Sequence, residues 1–198
     1  MLLYLLTACD PSSGPEGSID TNELFPAELD RFQAYRHQTP DAYADPEQSD
    51  VLDESDLLFA RFGDTGCGAD AWRVELRTGA EWATSSAMGA LHFDDASGLS
   101  ICGWEDAGGT LASYDPPILL WDNGTPLEEA EPLTSGSWTA TPRREEDLPT
   151  YFGTFPNAIA FTLVGDGALD AWVLHFAKAN GLVLLQNSEL SADLVYSR

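Results

Sequence analysis

Short stretches of alternating apolar and polar residues recur along the middle of the chain. In residues 72–77, tryptophan, valine and leucine alternate with two arginines and a glutamate, so the apolar side chains share one face of an extended strand. Less regular β-like runs occupy residues 82–93 and 99–104, separated by a turn-forming segment at 94–98. A short apolar strand over 117–121 is followed by Asp-Asn-Gly, which predicts a tight turn.

The last forty residues show the clearest strand pattern. Residues 158–164 and 169–177 are predicted strands joined by a Gly-Asp-Gly hairpin connection at 165–167. A second turn at 178–181 contains Asn and Gly, which tolerate the positive φ angles that such turns require. Two further strands are predicted after it, over residues 182–185 and 193–196. Short strands separated by turns, with almost no long helical period, predict an all-β antiparallel domain.

One segment near the start has a helical pattern instead. Over residues 26–37, Leu29, Phe32 and Tyr35 or Arg36 would line one face of a helix, and Pro26 would occupy its first turn. Propensity alone therefore predicts a helix here.

The charge balance excludes one class of function. The 198 residues include 33 acidic and only 9 basic side chains, for a net charge of -24. Such a surface repels phosphate backbones, so nucleic-acid binding is not expected. No stretch approaches the ~20 consecutive apolar residues of a membrane-spanning helix. Four aspartates could supply calcium ligands but lack the spacing of a calcium-binding hand, so neither a metal nor another cofactor is predicted. They are Asp64, Asp70, Asp94 and Asp95.

The first nine residues carry the most specific motif. An apolar run leads directly to Leu6-Thr7-Ala8-Cys9, which resembles the lipobox of bacterial lipoproteins. In that family the leader is removed and the cysteine is diacylated. A secretory leader normally opens with basic residues, and the first basic residue here is Arg31, so an ordinary cysteine is the alternative.

The lipobox resemblance implies a division of the chain into three parts. Residues 1–8 would be a signal peptide, and residues 9–22 the lipidated Cys9 followed by a flexible acidic tether rich in Pro, Gly and Ser. Residues 23–198 would form the β domain. The protein would be exported and anchored to a membrane in the cell envelope, on the periplasmic face or the cell surface.

The two other cysteines form an even pair in a protein expected to be exported. A disulfide between Cys67 and Cys102 is the natural interpretation in an oxidising compartment. It would close a loop of roughly 35 residues and stabilise the fold by about 4 kcal/mol. Two free buried thiols are the alternative. A metal site is not indicated, because the cysteines are far apart and no histidine adjoins them.

The histidines offer a possible catalytic group. His92 and His175 both fall in predicted strands, and a hydrolase could pair His175 with Asp170 and a serine. No Gly-x-Ser-x-Gly motif exposes a serine nucleophile, so a structural or surface histidine is the preferred interpretation. Strand alternation places His175 on the same face as Val173, opposite Leu174 and its apolar neighbours. The protein is accordingly predicted not to be an enzyme.

Six tryptophans and nine phenylalanines are a large aromatic supply. They are predicted to fill the core between layers of sheet. The alternative is a concave face that holds a hydrophobic, lipidic or carbohydrate ligand.

The order of motifs along the body resembles that of secreted or lipid-anchored bacterial envelope proteins of unknown function. Their shared plan has Phe-Pro, an aromatic and a Tyr, a Pro-Pro-led strand, Gly-x-Trp, Phe-x-Asn and a late hairpin. The matching residues are Phe25-Pro26, Phe32 and Tyr35, Pro116-Pro117-Ile118-Leu119-Leu120, Gly136-Ser137-Trp138, Phe155-Pro156-Asn157 and Phe176-Ala177-Lys178-Ala179-Asn180-Gly181-Leu182-Val183. The chain departs from the plan at Ala179 and Asn180, where the plan has Gly and Val.

This resemblance implies a curved antiparallel sheet, in a half-barrel or barrel-like form. It also implies a strand rather than a helix over residues 31–37, and no catalytic residues. The function expected from it is that of a non-catalytic binding or structural module, with an envelope protein or a hydrophobic ligand as a possible partner. The two alternatives are a carrier that holds a hydrophobic or lipidic ligand in the hollow of the sheet, and a hydrolase using His175 or His92.

Overall fold

A computed structural model of the chain describes residues 32–38, 57–64, 71–79, 82–95, 98–122, 131–150 and 153–197. These residues are almost entirely β-strand, which confirms the all-β prediction. The twelve strands are β1 (Phe32–Gln38), β2 (Leu57–Asp64), β3 (Ala71–Thr78), β4 (Ser86–Asp94), β5 (Gly98–Asp106), β6 (Leu111–Asp122), β7 (Leu133–Ser135), β8 (Trp138–Thr150), β9 (Gly153–Val164), β10 (Val173–Ala177), β11 (Gly181–Gln186) and β12 (Ser191–Ser197). A single turn of 3₁₀ helix, Trp82–Thr84, precedes β4. No helix among the residues that the structure describes is long and apolar enough to cross a membrane.

The strands form one antiparallel sheet in the order β6-β5-β4-β3-β2-β1-β12-β11-β10-β9-β8-β7. Strands that are adjacent in the sheet are consecutive in the sequence, except at the centre, where β1 pairs with β12. The two edge strands, β6 and β7, are not paired by main-chain hydrogen bonds within the described ranges, so the sheet remains open. The predicted antiparallel sheet is confirmed in this open form.

The sheet folds over so that its first half, β1 to β6, packs on its second half, β7 to β12. Pairs of aromatic rings bridge the two halves at several levels, and their side chains are buried. Phe93 of β4 meets Phe176 of β10 edge to face at 6.2 Å between ring centroids, and Trp121 of β6 meets Phe161 of β9 at 6.4 Å. Edge-to-face contact suits the opposite charge of a ring's rim and face. Aromatic residues therefore fill the core, as predicted.

Buried polar side chains tie β1 to the other half of the sheet. β11 pairs with β12 at Leu184, Leu185 and Gln186, near one end of β11. Toward the other end, the Tyr35 hydroxyl lies 2.9 Å from the carbonyl oxygen of Leu182, and Gln33 Nε2 donates to the carbonyl oxygen of Asn180 at 3.1 Å. Side chains of β1 therefore satisfy main-chain carbonyls at the start of β11.

The helix predicted over residues 26–37 is wrong where it can be compared. Residues 32–38 form β1, which pairs with β2 on one side and β12 on the other. Hydrogen bonds from two neighbouring strands outweigh a weak helical propensity. The strand implied by the family resemblance is confirmed over Phe32–Gln38, and residues 26–31 lie outside the described ranges.

The predicted strand over residues 169–177 starts too early. β10 begins at Val173, and residues 165–172 form a longer connection than the predicted Gly-Asp-Gly hairpin. The Asp170 carboxylate accepts a hydrogen bond from the Gly165 N–H at 3.0 Å, and Ala171 has a φ of 61°. These local bonds close a compact turn that alternation alone does not reveal. The turn before Gly181 and the strands at β3, β5, β11 and β12 agree with their predictions.

Candidate functional site

Five charged or titratable side chains meet on the outer face of β3, β4 and β5. Arg73, Glu75 and Arg77 are alternate residues of β3 and so share a face. Arg73 donates two hydrogen bonds to the Glu105 carboxylate of β5, at 2.9 and 2.8 Å. Glu75 accepts from Arg73 at 2.9 Å and from Arg77 at 3.0 Å, and His92 Nε2 lies 3.2 Å from Glu105. We call this group the arginine–glutamate cluster.

The register of the sheet explains why this cluster forms. Ala90 of β4 lies between Glu75 of β3 and Glu105 of β5. Because the alanine side chain is small, the long Arg73 side chain can reach across β4 to the far carboxylate. The bidentate pair thus joins two strands that are not neighbours, and it has the parallel geometry that makes arginine–carboxylate pairs strong.

The charges in the cluster stabilise one another. Hydrogen bonds from Arg73 lower the pKa of Glu105 to about 2, although partial burial opposes this. Burial raises the pKa of Glu75, but the bonds from Arg73 and Arg77 outweigh it, so the net shift is downward. The bond to Glu105 is the main cause that raises the pKa of Arg73. A general acid or base works best with a pKa near the operating pH, so the lowered pKa values of the two glutamates do not favour a role in proton transfer.

His92 belongs to the arginine–glutamate cluster. Its side chain is buried, and burial is the largest cause that lowers its pKa, while the bond to Glu105 acts in the opposite direction. The imidazole is buried, and its carboxylate partner is already hydrogen-bonded to Arg73. It is therefore poorly placed to exchange a proton with a substrate, and this geometry does not favour the hydrolase alternative at His92.

A second polar chain runs along β10, β11 and β12. His175 Nε2 lies 3.2 Å from Gln186 Oε1, and Gln186 Nε2 donates to Ser191 Oγ at 3.2 Å. Ser191 is completely buried. The glutamine separates the histidine from the serine, and Asp170 is used in the turn before β10. The arrangement that a hydrolase would need at His175 is therefore not assembled.

The environment of His175 differs from a surface position. It shares a face with Val173, as predicted, but only 3% of its area is exposed, so the surface alternative is wrong. Burial lowers the pKa of His175 to about 4, against a smaller opposing effect of Glu145. Its Nδ1 has no hydrogen-bond partner among the described residues. The imidazole is thus neutral near pH 7 and packed into the fold.

The three cysteines are only partly covered by the structure. Cys102 lies in β5 and is buried, with its sulfur 3.3 Å from the carbonyl oxygen of His92. Cys67 and Cys9 lie outside the described residues, so the predicted disulfide and lipidation remain predictions.

The space between the two halves of the sheet is occupied by side chains. The tilted pair Trp104 and Trp172, 5.8 Å apart, continues the row of rings formed by Phe93, Phe161 and Phe176. Filling of the hollow by Trp and Phe argues against a carrier, because a ligand would need the same volume. In the described part of the chain, no group of three His, Cys, Asp or Glu side chains could hold a metal ion.

The alternation of β3 predicts that its charged side chains share one face, but it does not predict their contacts with Glu105 and His92. Those contacts depend on the pairing register across β4, which hydrophobic alternation does not specify. Strict alternation along β5 would place Glu105 on the same face as Leu99 and Ile101, and the register shift after Ile101 moves it to the face of Arg73 instead.

Comparison with known proteins gives little further information. No protein family and no curated protein match the chain. A crystal structure from Bacteroides fragilis, of a protein with a YmcC-like fold whose export is inferred, aligns with a TM-score of 0.37 and 9% identity. The alignment covers 88% of this chain and 98% of that one. A match this slight assigns neither family nor function.

Proposed function

We propose that this chain is a lipid-anchored protein of the cell envelope and that its β domain acts as a non-catalytic binding or structural module. The leader and lipobox ending at Cys9 support the anchor. The net charge of -24 favours a domain held in water beside a membrane rather than within it.

The filled interior between the described strands is the observation that favours a module over a carrier. Buried rings occupy the volume between the two halves of the sheet. The two buried histidines are hydrogen-bonded to neighbouring side chains, His92 to Glu105 and His175 to Gln186. A domain built in this way presents its surface, edges and turns to partners. The interaction sites are therefore expected on the outside of the sheet.

Cell fractionation tests the anchor. The wild-type chain, expressed in a bacterium that processes lipoproteins, should remain with membranes in high salt and be released by detergent. Cys9→Ser should appear in the aqueous fraction, because the acyl acceptor is gone. Cys102→Ser is the matched control and should stay with the membrane. Equal membrane retention of the Cys9 and Cys102 variants would contradict the proposed anchor.

We also propose the disulfide between Cys67 and Cys102. An exported chain of this kind should take up an alkylating reagent at those two positions only after reduction. Reduction should lower the free energy of unfolding by about 4 kcal/mol, the value expected for a loop of roughly 35 residues. In Cys102→Ser, Cys67 should react without reduction. Full alkylation of the unreduced wild-type chain would contradict the pairing.

A further inference from the structure

Most of the sheet edge is protected against pairing with another chain. β7 has only three residues, and β6 contains Pro116 and Pro117, which have no N–H to offer. Farther along β6, the Leu119 N–H donates to the Ser135 hydroxyl of β7 at 3.1 Å. Short strands, prolines and capping side chains are the usual means by which edge strands avoid association.

One segment of the described edge, residues 111–113 at the start of β6, has neither a proline nor a capping hydrogen bond from a side chain of the described residues. All three residues are exposed, and 42% of the Leu111 surface is accessible. The Asp106 N–H bonds the Thr110 carbonyl across the hairpin, and main-chain bonding alternates along an antiparallel pair. Leu111 and Ser113 therefore direct their N–H and C=O groups away from β5. We call this segment the free edge of β6.

The free edge is itself uncharged, but it lies between the exposed acidic residues Asp106 and Asp115. Residues 107–114 contain no acidic or basic side chain, although the chain carries 33 acidic residues. The uncharged segment 133–142 lies beside it, because the Tyr114 ring of β6 contacts the Trp138 ring of β8 at 5.4 Å. On β8's other side is Val164, 56% exposed. A neutral or basic segment could therefore approach this edge, whereas an acidic one would be repelled by the flanking aspartates and by the net charge of -24.

We propose that the free edge of β6 binds an extended, neutral or basic segment of another envelope protein as an added antiparallel strand. Outward N–H and C=O groups select an extended main chain, and Leu111 offers an apolar contact for its side chains. The proposal deepens the proposed function by naming the kind of partner that the module takes.

A second copy of this chain fits the free edge less well. Antiparallel pairing of identical edges about a twofold axis turns one copy end for end relative to the other. Both copies would carry the same net charge of -24, so they would repel each other.

Peptide binding tests this edge directly. The probe is an acetylated and amidated Lys-Thr-Val-Thr-Val-Lys peptide, titrated into the ¹⁵N-labelled full chain carrying Cys9→Ser. We expect amide shifts centred on Leu111 and Ser113, and at least tenfold weaker binding when glutamate replaces both lysines. Ser113→Pro removes an outward N–H without breaking the pairing with β5, and it should weaken binding at least tenfold. Ser113→Ala keeps that N–H and should bind as the wild type does.

The outcomes separate this inference from the anchor. No shift in the wild-type chain, or equal binding by a folded Ser113→Pro variant, would overturn it. Concentration-dependent dimerisation that Ser113→Pro abolishes would assign the edge to a second copy and also overturn it. Because the chain lacks the lipid acceptor in this experiment, none of these results depends on whether Cys9 is acylated.

Discussion

His175 and Glu105 are titratable residues on the outer face of the same sheet, but different causes shift their pKa values. Burial, which Glu145 opposes only in part, disfavours the charged form of His175, whereas the Arg73 guanidinium favours the charged form of Glu105. The identities of these residues were evident from the sequence. Their burial and partners were not, because both depend on what the neighbouring strands place beside them.

His175 should make the protein less stable in acid. Its pKa is about 4 in the folded chain and 6.5 in the reference state, so the unfolded chain binds more protons between these values. The free energy of unfolding should therefore fall by about 3 kcal/mol from this group as the pH drops from about 6.5 to about 4. Denaturant titrations at several pH values in this range should show that the free energy of unfolding of His175→Leu falls less steeply with decreasing pH than that of the wild type. The same pH slope in both proteins would refute the assignment.

Glu105 should contribute stability that is lost only in strong acid. Glu105→Gln removes a bidentate charged partner of Arg73 and should cost about 1–3 kcal/mol at pH 7. The folded pKa is about 2 against 4.5, so the contribution is complete above the higher value and disappears as pH falls through the lower. Arg143→Gln, which breaks the exposed pair with Glu145, is the control and should cost under about 0.5 kcal/mol. Equal losses of unfolding free energy in the two variants would contradict a stabilising role for the arginine–glutamate cluster.

At the scale of elements, prediction succeeded where one face of a strand is buried and the other is polar. β3 is such a strand, and its alternation predicts both its extent and its orientation. β1 was ambiguous because its pairing with strands from distant parts of the sequence determines its conformation. Alternation predicts the start of β10 too early, because hydrogen bonds around Asp170 hold the preceding residues in a turn and the strand begins only at Val173.

The contribution of the hydrogen bond between β1 and β11 to stability can be measured by removing a single hydroxyl group. Tyr35→Phe leaves the ring in place but removes the hydroxyl that bonds the Leu182 carbonyl. We expect a loss of about 1–2 kcal/mol in the free energy of unfolding, since a buried acceptor loses its partner. Tyr114→Phe, at a half-buried position, is the matched control and should change stability by less than about 0.5 kcal/mol. Indistinguishable denaturation midpoints for the two variants would exclude this role of Tyr35.

At the scale of the whole molecule, the sheet is a single folded structure whose halves share one core. Phe161 contacts both Trp121 of the first half and Phe176 of the second. Phe161→Ala should cost about 3–5 kcal/mol, while Val164→Ala, on the same strand but exposed, should cost little. Unfolding followed by tryptophan fluorescence and by far-UV circular dichroism should give one shared transition. Separate transitions would show that the halves fold independently.

The proposed anchor depends on Cys9, and intact mass spectrometry of the membrane fraction tests lipidation of that residue most directly. The wild-type chain should lack residues 1–8 and carry an added mass of acyl-chain size, because lipidation at Cys9 accompanies removal of the leader. Cys9→Ser should lack that added mass. An unprocessed, unmodified chain in both samples would contradict the lipid anchor on which the proposed function rests.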